Sequence, residues 1–139
     1  MKNFYTDVNL EERTLELILV SSDRSAEEWK RHHAVMPWYS IRFDDARAHE
    51  LREKYQVYAV PTLIILDATT GFTVTTTARK DLNKPVAETY ESWGKLLDLK
   101  RVRAVERAEQ DAISKAMKAE REWKDKQKKE QERLAAEAA

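Results

Sequence analysis

Cysteine is absent from this chain of 139 residues, and glycine and proline are scarce, at two and three. The first absence excludes disulfides, thiol chemistry, Cys-ligated zinc and iron–sulfur clusters together. The second is unusual for a compact enzyme, whose loops normally draw on both residues. Neither sign of charge is in excess: 25 basic and 25 acidic side chains leave a formal net charge of zero. That balance argues against a protein built to neutralise phosphates. No apolar run approaches the roughly 18 residues of a membrane helix. The start, Met1-Lys2-Asn3-Phe4-Tyr5-Thr6-Asp7 with Glu11 and Glu12 close behind, reads neither as a signal peptide nor as an acid-poor transit peptide. A Gly-rich phosphate loop and a Gly-x-Ser-x-Gly elbow are missing as well. The expectation from these absences is a soluble, cytosolic protein.

What is present divides into two pieces. Residues 1–100 hold 14 basic and 16 acidic residues, all three prolines, both glycines and every aromatic except Trp123. Residues 101–139 hold 11 basic and 9 acidic residues, with alanine making up about half of the rest. We expect a domain over 1–94 and an extended charged helix, rich in Ala, Glu and Lys, over 95–139.

Within the domain the hydrophobic period switches repeatedly. Leu15 to Val20 is a short apolar run closed by Ser21-Ser22-Asp23 and predicts a strand buried on both faces. Ser25 has the chemistry of an N-cap, with Glu27 and Glu28 in the first turn of a helix to about Val35. After Pro37, residues 38–43 alternate as a strand with Tyr39, Ile41 and Phe43 on one face. Asp44 or Asp45 caps a helix over about 46–55, with Ala48, Leu51 and Tyr55 on its apolar side. A second buried strand runs from Val60 to Asp67, and Thr69-Thr70-Gly71 turns it into a hairpin with residues 72–77. A helix begins near Val86. The order βαβαββα predicts an α/β fold whose sheet mixes parallel and antiparallel pairs.

These pieces resemble the tryparedoxin and nucleoredoxin branch of the thioredoxin superfamily. The residues that carry the likeness are Leu19-Val20-Ser21-Ser22-Asp23, Met36-Pro37-Trp38, Val60-Pro61-Thr62-Leu63 and Leu66-Asp67-Ala68-Thr69-Thr70-Gly71. The resemblance implies a partial thioredoxin-like mixed sheet, with Pro61 at the family's cis-proline. It also implies what is missing. The family's Trp-Cys-Pro-Pro-Cys motif and the strand before it would lie ahead of residue 1, with Asn3-Phe4-Tyr5 near the end of the active-site helix. Thiol–disulfide exchange needs two thiols, so Pro61 is expected to be vestigial, an inherited turn into its strand. Trp38 is expected to pack in the core or at its rim. The absent strand would pair with residues 15–20. We therefore expect Leu15, Leu17 and Leu19 to border an open edge that another chain, or residues 2–12 in a new arrangement, covers.

From Lys95 onward there is no proline or glycine, and the composition is that of the strongest helix formers. Glu120 with Lys124, Glu122 with Lys126 and Asp125 with Lys129 are spaced for i, i+4 ion pairs. The apolar positions, Val102, Val105, Ile113, Met117 and Trp123 among them, are too thin for a self-associating zipper. They suit a helix that lies on another protein, with Trp123 as an anchor. His32 and His33 are adjacent and His49 stands apart, so no metal site is expected. Neither is a cofactor, a small-molecule substrate or a membrane contact.

The expected function is that of a redox-inactive thioredoxin-like structural or adaptor subunit of a large assembly, held through the open sheet edge and the C-terminal helix by other protein subunits. The neutral charge favours a microtubule-associated flagellar axoneme complex, hence a cytoplasmic or cytoskeletal location. The alternatives are a structural protein of a mitochondrial ribosome or respiratory complex, and a thiol oxidoreductase whose cysteines come from a partner chain. Nucleic acid is a less favoured partner, because Glu130, Glu132 and Asp125 interleave with Lys124, Lys126, Lys128 and Lys129.

Overall fold

Helix formation begins at the first residues of the chain. The computed structural model describes residues 1–138. Helix α1, Lys2–Val8, buries Phe4 and Tyr5. It is followed by strand β1 (Ile18–Leu19), helix α2 (Ala26–His33), strand β2 (Tyr39–Ser40) and helix α3 (Ala46–Lys54). Strands β3 (Ile65–Leu66) and β4 (Thr73–Thr75), a 3-10 turn over Ala78–Asn83 and helix α4 (Val86–Glu137) complete the order. The chain divides into two compact units, Met1–Leu97 and a second that begins at Asp98, inside α4.

The α/β fold and the long C-terminal helix follow the sequence pattern, but the sheet is smaller than that pattern predicts. β1 pairs with β2 in parallel, Ile18 against Tyr39 and Leu19 against Ser40. β3 pairs antiparallel with β4, with a bulge between Ile65 and Leu66. The two pairs form separate two-stranded sheets, not one mixed sheet. The expected strand over 15–20 shrinks to two residues and is not buried on both faces, since Ile18 is 60% exposed. A strand needs neighbours on both edges and cover on both faces to bury an apolar run, and among the described residues β1 has a strand on one edge only.

The caps lie where the residue types place them. Ser25 accepts from the Glu28 N–H at 3.2 Å, and the Glu28 carboxylate accepts from the Arg24 N–H at 3.1 Å. Asp45, not Asp44, caps α3 by accepting from the Arg47 N–H at 2.9 Å. Asp44 instead takes the left-handed backbone conformation just before it, at φ 59°. In the hairpin, Gly71 at φ 73° supplies the positive-φ corner, and Asp67 holds Thr69 and Thr70 with its carboxylate. Ala48, Leu51 and Tyr55 are half-buried, as the spacing of the α3 apolar side requires.

The core of the first unit is small. Phe4, Ala78 and Trp93 are buried together, with Val8, Leu15, Leu63, Ile65, Leu82 and Val86 packed around them. Phe4 and Trp93 meet at 5.4 Å between ring centroids. The indole N–H of Trp93 donates to the Asp81 carboxylate at 3.1 Å, and the Thr89 hydroxyl donates to the Asp81 carbonyl at 2.9 Å. These bonds tie the first turns of α4 to the 3-10 turn. In the second unit every described residue except Ala104 is exposed. Of the three ion pairs expected there, Glu120–Lys124 forms at 2.6 Å. No helix among the described residues is long and apolar enough to cross a membrane.

Candidate functional site

Three places in the fold collect the residues singled out by the sequence: the Val60–Pro61 corner, the free edge of β1 and the exposed part of α4.

At the corner the Val60–Pro61 peptide is cis, and both residues are exposed. The Thr62 hydroxyl donates to the Ala59 carbonyl at 2.5 Å and closes the bend. Trp38 is half-buried and packs edge-on against Tyr5, with ring centroids 5.5 Å apart. That contact is with the N-terminal helix, so the indole does rim packing, an aromatic pair in edge-to-face geometry.

At the edge, local alternation decides which groups are free. The Leu19 carbonyl accepts from the Ile41 N–H at 2.9 Å, which turns the Leu19 peptide groups toward β2. Successive residues of a strand point their backbone groups to opposite sides, so Ile18 and Val20 turn theirs away from β2, where no other strand pairs with them. The preceding residues are occupied. The Asn9 side chain accepts from the Thr14 and Leu15 N–H groups at 3.0 Å each and donates to the Leu15 carbonyl at 2.9 Å. The Leu17 N–H is taken by the Glu16 carboxylate at 3.0 Å, and that same oxygen accepts from the Tyr5 hydroxyl. Residues 2–9 therefore brace the segment before β1 as a helix and an amide clamp, without adding a strand. Leu15 packs against the core through this brace. Leu17 and Leu19 are half-buried.

Along α4, Val102, Val105, Ile113, Met117 and Trp123 are all more than half exposed, Trp123 at 61%. These five positions belong to the second unit, and Leu15, Leu17 and Leu19 to the first.

A shallow cleft of about 260 Å³, absent from the sequence reading, lies at the C-terminal ends of β1 and β2 and is lined by Ser21, Arg42, His49 and Arg52 among others. Two of its three carboxylates, Asp23 and Asp45, are already engaged. Asp23 accepts from the Ser21 hydroxyl and pairs with His32 Nδ1, which together hold its pKa below the usual carboxylate value. Asp45 is held down to about 2 by the Arg47 guanidinium and then by the Arg47 N–H. Arg52 donates to the Ser21 carbonyl. The Ser21 hydroxyl faces a carboxylate and not the imidazole, so the trio is not arranged for nucleophilic catalysis.

The architecture defines an α/β domain of parallel β1–β2 and antiparallel β3–β4 pairs, with a cis-proline ahead of the hairpin and no thiol. Residues 1–73 match the family model described as thioredoxin-like, and the chain belongs to that family. Nucleoredoxin of Xenopus laevis is 38% identical over 64 residues, which make up 45% of this chain and 16% of that protein. Tryparedoxin of Trypanosoma brucei brucei is 32% identical over 68 residues, 48% of this chain and 47% of that one. Among solved structures, tryparedoxin I from Leishmania major superposes with a TM-score of 0.54 at 40% identity, covering 59% of this chain and 57% of that one. The chain thus spans less than a fifth of the frog protein and about half of the tryparedoxins.

Proposed function

We propose that this chain is a redox-inactive, thioredoxin-like adaptor or structural subunit that is fixed into a larger assembly by other proteins. The observation that carries the reading is the free edge of β1, where Ile18 and Val20 turn backbone donors and acceptors away from the only paired strand beside an exposed isoleucine. Unpaired edges of this kind are a template for another chain. The composition supports the redox half of the proposal: dithiol exchange cannot be run by 139 residues without a cysteine. Pro61 is then an inherited corner, and the attachment sites are the edge beside Leu15, Leu17 and Leu19 and the exposed positions of α4, Val102, Val105, Ile113, Met117 and Trp123. On charge balance we place the assembly in a flagellar axoneme, ahead of a mitochondrial ribosome or respiratory complex.

The test is to purify the tagged chain from cells with its partners, cross-link, and identify what neighbours residues 15–20. A cysteine-free neighbour in a multi-subunit complex is the expected result. A neighbour that carries a dithiol motif beside Pro61 would make the protein half of a split oxidoreductase. A folded, non-aggregating monomer with no partner would overturn the adaptor reading. Trp123→Ala should reduce incorporation into the purified complex; unchanged incorporation removes Trp123 as an anchor.

A further inference from the structure

The helix of the second unit gathers five of its cations onto one face. At about 100° per residue, Arg103, Arg107, Lys118, Arg121 and Lys129 fall within about 80° of arc. All five are exposed, and none is in an ion pair among the described residues. At about 1.5 Å per residue the row is about 40 Å long. Trp123, the sole aromatic beyond Asp98, lies about 160° round from its centre by the same geometry, with Val105 and Ala116. Lys124 and Lys128, by contrast, are drawn to Glu120 and Glu132 on their own helix, at 2.6 and 3.9 Å.

We infer that this row docks an acidic polypeptide surface, one that presents carboxylates spaced along a helix or an extended segment. The inference rests on the reading of α4 as an attachment element and adds the chemistry of what it attaches to. Two features choose a polypeptide over nucleic acid. Asp111, Asp125 and, just past the row, Glu132 fall inside the same arc, where they would repel a nucleic-acid backbone, whose phosphates are fixed at every nucleotide; the carboxylates of a polypeptide sit on flexible side chains that can turn away from those positions. In addition, the row contains no aromatic side chain on which a base could stack, since Trp123 is on the opposite face. Exposed cations without intrahelical partners gain most from an incoming carboxylate, because no existing pair has to be broken.

The experiment uses the full chain and fluorescently labelled poly-L-glutamate as the probe, with poly(U) as the comparison, both read by anisotropy at low salt. Polyglutamate should bind more tightly than poly(U), and the binding should weaken as salt rises. Arg107→Glu with Lys118→Glu should weaken polyglutamate binding by about tenfold. Lys124→Glu with Lys126→Glu changes net charge equally but sits about 100° off the row, and should cost much less. Far-UV circular dichroism of each variant establishes that the helix is retained, and Arg107→Gln with Lys118→Gln serves if charge reversal melts it. Equal losses for the two pairs would reduce the effect to net charge and overturn the assignment. So would tighter binding of poly(U), or no polyglutamate binding at all. None of these outcomes bears on whether a strand pairs with β1, so the two readings fail separately.

Discussion

Replacing Trp93 by Phe probes the junction that fixes the start of α4. Trp93 is 4% exposed, touches Phe4 and donates its indole N–H to Asp81. Phe keeps the ring contact and removes the donor. Loss of one hydrogen bond costs about 1 kcal/mol. The smaller ring system leaves roughly 40 Å³ unfilled, which at about 24 cal/mol per Å³ adds about 1 kcal/mol. A total of about 2 kcal/mol in a unit of this size lowers Tm by about 10 °C. The assay is thermal or urea unfolding of the full chain in a Trp123→Phe background, read by the fluorescence of Trp29 and Trp38, so that the exposed helix does not contribute. The hydrogen bond and the packing separate by pH. Asp81 lies below the usual carboxylate value of 3.8 because the Trp93 indole, and secondarily Lys84, stabilise its charged form. A depressed folded-state pKa contributes stability above the unfolded value and loses it as pH falls through the folded one. The difference between wild type and Trp93→Phe should therefore be full at neutral pH and shrink in acid, and Asp81→Asn should cost less in the Phe variant than alone. A change under 0.5 kcal/mol, or strict additivity of the two substitutions, would refute the reasoning.

Asn9→Ala removes three hydrogen bonds to Thr14 and Leu15; because the segment is partly exposed and water replaces some of them, the expected loss is about 1–2 kcal/mol in urea unfolding. Gly71→Ala meets no atom within 4 Å but must hold φ at +73°, so strain alone should cost about 1–2 kcal/mol, with Gly71→Asn costing less. The Asp45 cap should outlast ordinary carboxylates in acid: with its pKa at about 2, the amide resonance of Arg47 should hold its position as pH falls through 3.8 and move only near 2, whereas movement centred near 4 would contradict the bonds drawn to it.

Much of this fold is written locally. Ser25, Asp45 and Gly71 each dictate a cap or a corner through their own chemistry, which one sequence displays. The α4 pattern, free of proline after Pro85, is likewise local. The sheet was less legible because Leu15-Glu16-Leu17-Ile18-Leu19-Val20 has the composition of a strand buried on both sides, and composition does not reveal whether a neighbour is present. α1 is not legible in its local pattern, since Phe4, Tyr5 and Val8 are too few for a period; only the family resemblance, which sets Asn3-Phe4-Tyr5 near the end of a helix, points to it, and Phe4 and Val8 are held there by the core around Trp93. The basic row is not legible along the chain, because its cations are interspersed with acids and come together only around the helix axis.

Asn9 also limits what the edge can do. Its side-chain amide has the donor and acceptor of a peptide group and has already filled the backbone positions of Thr14 and Leu15, while Glu16 has filled that of Leu17. An incoming strand finds the outward groups of Ile18 and Val20. A few backbone hydrogen bonds, at about 1 kcal/mol each, correspond to dissociation constants in the millimolar range. Under the proposed adaptor role, such an edge would serve as one half of a bivalent grip: with α4 held, the edge would see its target at a high effective concentration, and joint affinity could exceed either contact alone by 10²–10⁴. Occupancy then depends on both contacts at once, and cutting the helix away would release the edge without altering a single residue of it.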